Sequence, residues 1–533
     1  MKGEVKLRKW HWLVIVLSAL LLIGCSSDDA ESPNSGEKEG SDKPDTVELA
    51  TELNIAINTQ PTTLDHHMTT ATIVSDLARH IYEQLVTLNS SYEVVPMLAE
   101  SIDESEDGKT FTFNLRKGVM FHNGKEMTAE DVVASLEKWQ ATSSKALALI
   151  PNATFTEVDD YTVEMSLDEA IYGILTLFAD VGQSAVIMPK EIAEAAGPTG
   201  ATEYIGTGPF KFTEWKHDQY IHFSKFDEYS ALEQPANGLS GKKEALVDDL
   251  YFHIILDGST RLTGLQTGQY DLAMAIPYDN YDMVNNDPNL ETAIDIMGPV
   301  GLVLNKKDRI FSDIKMRQAL NAALDMESIM VAAYTDEKFF RLDHGYMQVE
   351  QVEWYNEAGK DRYNINDPEK AKQLFEEAGY NGEEIKIITT KDYEYMYNSA
   401  VVIQEQLKKI GVNVELEVTD WATILDKRTK PDEYDGFVTA FPKVMTPQQI
   451  LHVNPEWPGW TDDAEITELL EEINDAKSAE DAKVSFEKLQ DRMYDYLTMV
   501  KYGDYYNLYG NSAKVDGLTL QDGLILWNTT KEK

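Results

Sequence analysis

One cysteine in 533 residues, Cys25, removes the intramolecular disulfide from everything this chain can fold into. The fold must be held by buried apolar surface, and 43% hydrophobic with 10% aromatic residues supplies enough for a large core. The length exceeds one ordinary domain and predicts roughly two to four domains or lobes. A lone cysteine also excludes a cysteine-rich metal site. With 47 Lys+Arg against 92 Asp+Glu the formal charge is −45, a surface that repels nucleic-acid phosphates and anionic lipid head groups alike.

Cys25 closes an apolar run, Leu13 to Ile23, that follows the bases Lys2, Lys6, Arg8 and Lys9. Such a run is too short for a bilayer core of roughly 30 Å and suits a signal h-region. Residues 1–24 with Cys25 resemble a bacterial lipoprotein signal, in which cleavage before the cysteine is coupled to lipidation of its thiol; the bland alternative is a cysteine that merely follows a signal peptide. Residues 26–48 (SSDDAESPNSGEKEGSDKPDTVE) hold eight acids, two lysines and no aromatic residue, too little apolar surface to fold. Residues 25–49 are therefore expected to be a disordered tether spanning roughly 25 Å. That predicts a lipid-anchored protein on the outer face of the cell membrane.

Beyond the tether, strands and helices mix. TFTFNL at 110–115 and YTVEMSL at 161–167 alternate with period two. Thr128 with Asp131 predicts an N-cap ahead of the stripe Val132, Leu136, Trp139. Asp367-Pro368 opens another helix, and Gly411 ends a third before the alternating Val412, Val414, Leu416 and Val418, the grammar of an α/β lobe. Enzyme signatures are missing: there is no G-x-S-x-G, H-E-x-x-H, Walker loop or G-x-G-x-x-G. His66-His67 offers metal ligands, but neighbours on an extended chain point apart, which favours a structural pair. Residues 103–108 imitate a calcium loop and lack its bidentate glutamate, Asn114 standing at position twelve; a turn is the better reading. Two tyrosine groups, Tyr393, Tyr395 and Tyr397, and Tyr502, Tyr505, Tyr506 and Tyr509, are either core or the wall of a ligand cleft.

A series of blocks then falls in order along the chain: Pro96 to Glu100 (PMLAE), Asp107 to Gly118 (DGKTFTFNLRKG), Phe121 to Gly124 (FHNG), Thr128 to Val132 (TAEDV), Ile205 to Phe210 (IGTGPF) with Trp215, Ser259 to Leu262 (STRL) with Leu265 to Gly268 and Asp271, and Ile314 to Leu320 (IKMRQAL) with Asp325. The helix-to-strand run from Ile403 to Val418 completes them. Together they resemble family 5 solute-binding proteins, the oligopeptide, dipeptide and nickel receptors of ABC importers. The resemblance implies an α/β, two-lobed, periplasmic-binding-protein-like clamshell. Lobe I would take residues 50–297 and 505–533, with a subdomain inserted near 88–204, and lobe II residues 298–504. Pro299 and Gly301 would punctuate one crossing, Gly503 or Gly510 the other. Capture rather than catalysis follows: a peptide or peptide-like solute bridges the lobes, favours their closed state and is delivered to an ABC permease and its ATPase, with the protein a monomer and no cofactor or metal.

In the family's peptide binders an aspartate in the stretch matching Tyr434 to Pro447 pairs with the ligand's α-amino group. Here residues 436–449 contain no acid, and Lys443 brings the opposite charge. A receptor for an opine-like, sugar-like or nickel-chelate solute is therefore the alternative; a lipid-anchored hydrolase or a sensor on the same scaffold ranks below both. Arg341, Lys391 and Lys443 are candidate carboxylate partners or plain surface cations. Tyr393, Trp421 and Phe441 are candidates for the cleft wall. Thr69 and Thr70, after Leu64-Asp65, stand on a loop that approaches ligand in the family.

Overall fold

The computed structural model describes residues 48–533; the signal segment, Cys25 and the tether through Val47 lie outside the described residues. Leu49 already bridges to Glu532, so the two ends of the described chain meet. The architecture is α/β. An eleven-stranded mixed sheet runs in the order Val414–Val418, Ile385–Thr389, Gly436–Ala440, Leu290–Leu304, Val500–Ser512, Leu272–Ala273, Glu52–Ile57, Asp249–Ile254, Tyr220–Lys225, Phe210–Lys216, with Phe340–Arg341 added beside Val500–Ser512.

Two strands of unusual length hold this sheet together. Leu290–Leu304 has 15 residues and Val500–Ser512 has 13, and they pair antiparallel from Leu290↔Ser512 to Leu302↔Val500. The register slips between Ile296 and Pro299 and again between Val300 and Gly301. Proline brings no N–H to a ladder, so a bulge is where it fits. On one side of the slip the long pair leads through Leu272–Ala273 to Glu52–Ile57; on the other it pairs with Gly436–Ala440. Different cores cover the two halves. Ile55, Phe210, Phe223 and Phe252 pack together on the first, and Leu302, Leu320, Ile387, Ile403 and Val438 on the second.

A separate antiparallel sheet, in the order Ala99–Glu104, Thr110–Leu115, Thr162–Ser166, Thr154–Asp159, carries its own core with Phe113, Leu136, Trp139 and Phe178. Its helix Ala129–Thr142 opens on the expected box: Asp131 accepts from the Thr128 N–H at 3.0 Å. Val132, Leu136 and Trp139 are buried beneath it. The IGTGPF block works by close approach. A Cβ on Gly206 would lie 2.2 Å from the Ile81 carbonyl oxygen, and the Gly208 N–H donates to that same oxygen at 2.8 Å.

Asp435 opens the strand Gly436–Ala440. Buried, it accepts Arg309 Nε at 2.9 Å and Nη2 at 2.8 Å, and the Lys386 N–H at 2.7 Å. Removing the acid strands a guanidinium and a backbone donor. Asp435→Ala should lose about 3–5 kcal/mol, read as a lowered urea midpoint; a loss under about 1 kcal/mol would mean the pair is only a surface contact.

Candidate ligand-binding site

Ile385–Thr389 runs parallel to Val414–Val418 and to Gly436–Ala440, with Thr389 opposite Val418 and Ile388 opposite Phe437. The carboxyl ends of the three strands therefore lie side by side. A crevice at such ends is where open parallel sheets take ligands, because the strands point away and the following loops supply the side chains. The loops here deliver Lys391 and Tyr393, then Trp421, then Phe441 and Lys443.

Tyr393 and Trp421 come together. Tyr393 stands immediately before the helix Glu394–Lys409 and Trp421 begins the helix Trp421–Lys427. The Asp392 carboxylate accepts the Trp421 N–H at 2.8 Å, tying one loop to the next. The rings meet edge to face, centroids 5.5 Å apart at 84°. From Tyr393 the aromatic wall continues to Tyr395 at 6.0 Å and on to Tyr505 of the long strand at 6.2 Å, with Tyr334 stacked against both Tyr395 and Tyr505 at 5.7 Å. Tyr393 remains 37% exposed and Trp421 half-buried, so this end of the wall is open. Tyr502 and Tyr509 are wholly buried in the core.

The other candidates go elsewhere. Phe441 is 7% exposed, its ring against His452 at 5.3 Å and Trp457 at 5.5 Å, inside the core rather than on the open wall. Lys391 is exposed, its ammonium 4.6 Å from the Tyr397 ring centre. Arg341 already has carboxylates. It donates to Glu350 at 2.7 and 3.1 Å and to Asp504 at 3.0 Å, with Asp343 at 3.6 Å. Burial opposes its charge, but Glu350 and Asp504 outweigh burial and hold the guanidinium protonated. Thr69 and Thr70 sit on a different element, where the Thr69 hydroxyl accepts from the Ala71 N–H at 3.1 Å just before the helix Thr72–Ala78. His66 and His67 are buried and structural: His66 bonds Ser75 at 2.8 Å, and His67 bonds the Val186 carbonyl at 2.9 Å. Among the described residues no cluster of three or more His, Cys, Asp or Glu has the geometry to hold a metal.

Lys443 has three neighbours that sequence reasoning misses. Its ammonium donates to the Tyr92 hydroxyl at 2.6 Å, lies 3.2 Å from the Asp522 carboxylate, and feels Asp295 nearby. Burial works against this charge; Asp522, Tyr92 and Asp295 more than restore it, and the amine is held above its ordinary pKa. The local signal that could find Asp522 is the turn dipeptide Asp522-Gly523. Nothing in the sequence singles out Tyr92.

The profile of bacterial extracellular solute-binding proteins, family 5 Middle, matches residues 93–451. The chain belongs to that family. Its members are binding proteins of transporters rather than enzymes, and extracellular or periplasmic. Among family 5 relatives, the probable peptide ABC transporter periplasmic-binding protein y4tO of Sinorhizobium fredii is 30% identical over 488 residues, covering 87% of this chain and 90% of the relative. The oligopeptide-binding protein AppA of Bacillus subtilis is 28% identical over 517 residues, covering 91% and 90%. Among solved structures, the binding protein AgaA of A. tumefaciens R10, in complex with agropinic acid, superposes with a TM-score of 0.77 at 25% identity over 90% of this chain and 99% of that one. The fold is the two-lobed clamshell of this family. No helix of the described residues is long and apolar enough to cross a membrane.

Proposed function

We propose that the chain is the solute-binding component of an ABC importer and captures a peptide or peptide-like solute between two lobes for delivery to a permease and its ATPase. Similarity to y4tO over nearly the whole length of both chains carries this reading. Lobe I is taken as 50–297 with 505–533, the inserted subdomain as about 88–204, and lobe II as 298–504; the register slip between Ile296 and Gly301 supports a hinge at that crossing. Cys25, lipidated, and the acidic segment after it would keep a monomeric body beside the permease. Trp421 and Tyr393 would hold the solute's apolar parts.

A second reading, an opine-like or other dedicated solute, is favoured by the acid-free stretch 436–449 and by the likeness to AgaA, a protein crystallised with agropinic acid. Native mass spectrometry of the mature protein, purified without refolding, separates the two. Retained mass spread in amino-acid increments is the expected result. One sharp small-molecule adduct would replace the peptide with a dedicated solute, and a nickel isotope pattern would replace it with a metal chelate.

A further inference from the structure

Lys443 is 8% exposed, yet its partners come from segments far away in the chain. Tyr92 lies in the inserted subdomain and Asp522 in the C-terminal stretch, both on the opposite side of the hinge from Lys443 under the lobe division proposed above. The socket is built in advance. Tyr92 and Asp522 both hold left-handed backbone, φ 62° and 49°, which is uncommon for a tyrosine and more readily adopted by an aspartate. What holds both in place is visible. Arg79 donates to the carbonyls of Gln521 at 2.9 Å and Asp522 at 2.6 Å. Asp295 accepts the Gly523 N–H at 2.8 Å and Asp76 the Leu524 N–H at 2.9 Å. Gln521 Nε2 donates to the Asn89 carbonyl at 2.8 Å, and that same carbonyl accepts the Tyr92 N–H at 3.0 Å. Both tips are thus fixed to each other, with all these groups on one side and the lysine alone arriving from the other.

We propose that Lys443 is a latch: its ammonium enters the Tyr92–Asp522 socket and holds the lobes shut before any solute is bound. The latch rests on the clamshell reading and adds to it an energy of closure that solute does not supply. A buried ion pair that forms only on closing penalises its own half-removal. Lys443→Met leaves the Asp522 carboxylate to be buried unpaired each time the lobes meet, whereas in the open state water solvates it. A second contact across the same gap, where the Tyr172 N–H donates to the Asn474 carbonyl at 2.8 Å and its hydroxyl to Glu353 at 2.6 Å, carries no buried cation and serves as the control.

The test is small-angle scattering of the mature chain, stripped of solute in guanidinium and refolded, for wild type, Lys443→Met, Lys443→Arg, Tyr92→Phe and Tyr172→Phe. Wild type and Tyr172→Phe should scatter as closed particles without solute, and Lys443→Met as an open one, the closed-to-open ratio falling roughly tenfold or more. Tyr92→Phe, which removes one hydroxyl and leaves the fold in place, should shift the ratio the same way by a smaller factor, and Lys443→Arg should stay closed. An open wild type, or Lys443→Met and Tyr92→Phe both as closed as wild type, overturns the latch. Should Lys443→Met fail to refold, Tyr92→Phe decides alone. Titration calorimetry with trialanine keeps the two readings apart: closure without heat of binding leaves the latch standing and removes the peptide reading, while binding to a wild type that is open when empty does the reverse.

Discussion

Taking the protein from pH 7 to pH 5 should destabilise it heavily, with the melting temperature falling by roughly 5–10 °C. The cause is five histidines sealed in as neutral rings. Burial depresses the pKa of His66, His67, His80 and His452 to about 3 and that of His122 to about 4. Hydrogen bonds show the same state for two of them: His67 donates from Nε2 to the Val186 carbonyl and receives Lys138 on Nδ1 at 3.2 Å, and His122 donates to the Gly208 carbonyl at 3.0 Å while accepting the Gly206 N–H at 3.3 Å. A ring using one nitrogen as donor and the other as acceptor is neutral. In the unfolded chain these rings take up protons below about pH 6.5, while the folded chain refuses them until pH 3–4. The unfolded state therefore binds more protons in that window, and stability drops by about 2 kcal/mol per ring by pH 5. Two carboxyls act in the other direction. Burial raises Asp295 to about 7 and Asp76 to about 6, so each contributes more stability as pH falls through those values. Five rings outweigh two acids. Thermal melts at pH 7, 6 and 5 check the balance, and a flat melting temperature would mean that the histidines reach water.

What was legible in the sequence is what neighbouring residues decide among themselves. The alternation of Phe111, Phe113 and Leu115 needs only the pleat of one strand, and the Thr128–Asp131 box needs only one helical turn. The turn at 105–108 in place of a calcium loop belongs to the same class, since the Ser105 hydroxyl donates to Asp107 at 2.7 Å and closes it locally. The aromatic pair Tyr393 and Trp421 was also accessible, because each opens a helix directly after a strand and parallel pairing puts such loops side by side. Lys443 shows the limit. Its partners are Tyr92, 351 positions away, and Asp522, joined to it by the fold alone. Arg341 fails in the same way: a cation that is free on the page of the sequence meets Glu350 and Asp504 once the long central strand is laid down. Charge in a sequence this acidic names an ion without naming its partner.

Trp421→Ala should weaken solute binding by roughly 10- to 100-fold while the fold survives, whereas Phe441→Ala should lose stability and leave binding unchanged. Both are aromatic residues just past the carboxyl ends of the two parallel strands that flank Ile385–Thr389, and the difference lies in where the ring goes. Trp421 is half-buried, meets the exposed Tyr393 edge to face at 5.5 Å, and stands at a helix start that Asp392 and Asp420 hold by backbone and capping bonds. Those bonds use the main chain and survive truncation, so the stability loss should stay below the roughly 3–5 kcal/mol of a fully buried aromatic residue. Phe441 is sealed between His452 and Trp457, and truncation there leaves a cavity with nothing to fill it. Its alanine variant should lose about 3–5 kcal/mol yet bind solute normally at temperatures where it remains folded. Urea midpoints paired with titration calorimetry, using the solute recovered from the native protein, read both quantities on each variant. A collapse of stability in Trp421→Ala with unchanged affinity would make Trp421 a core residue and move the binding wall toward Tyr505. Lost affinity in Phe441→Ala at full folding would put the core face of that loop against the solute.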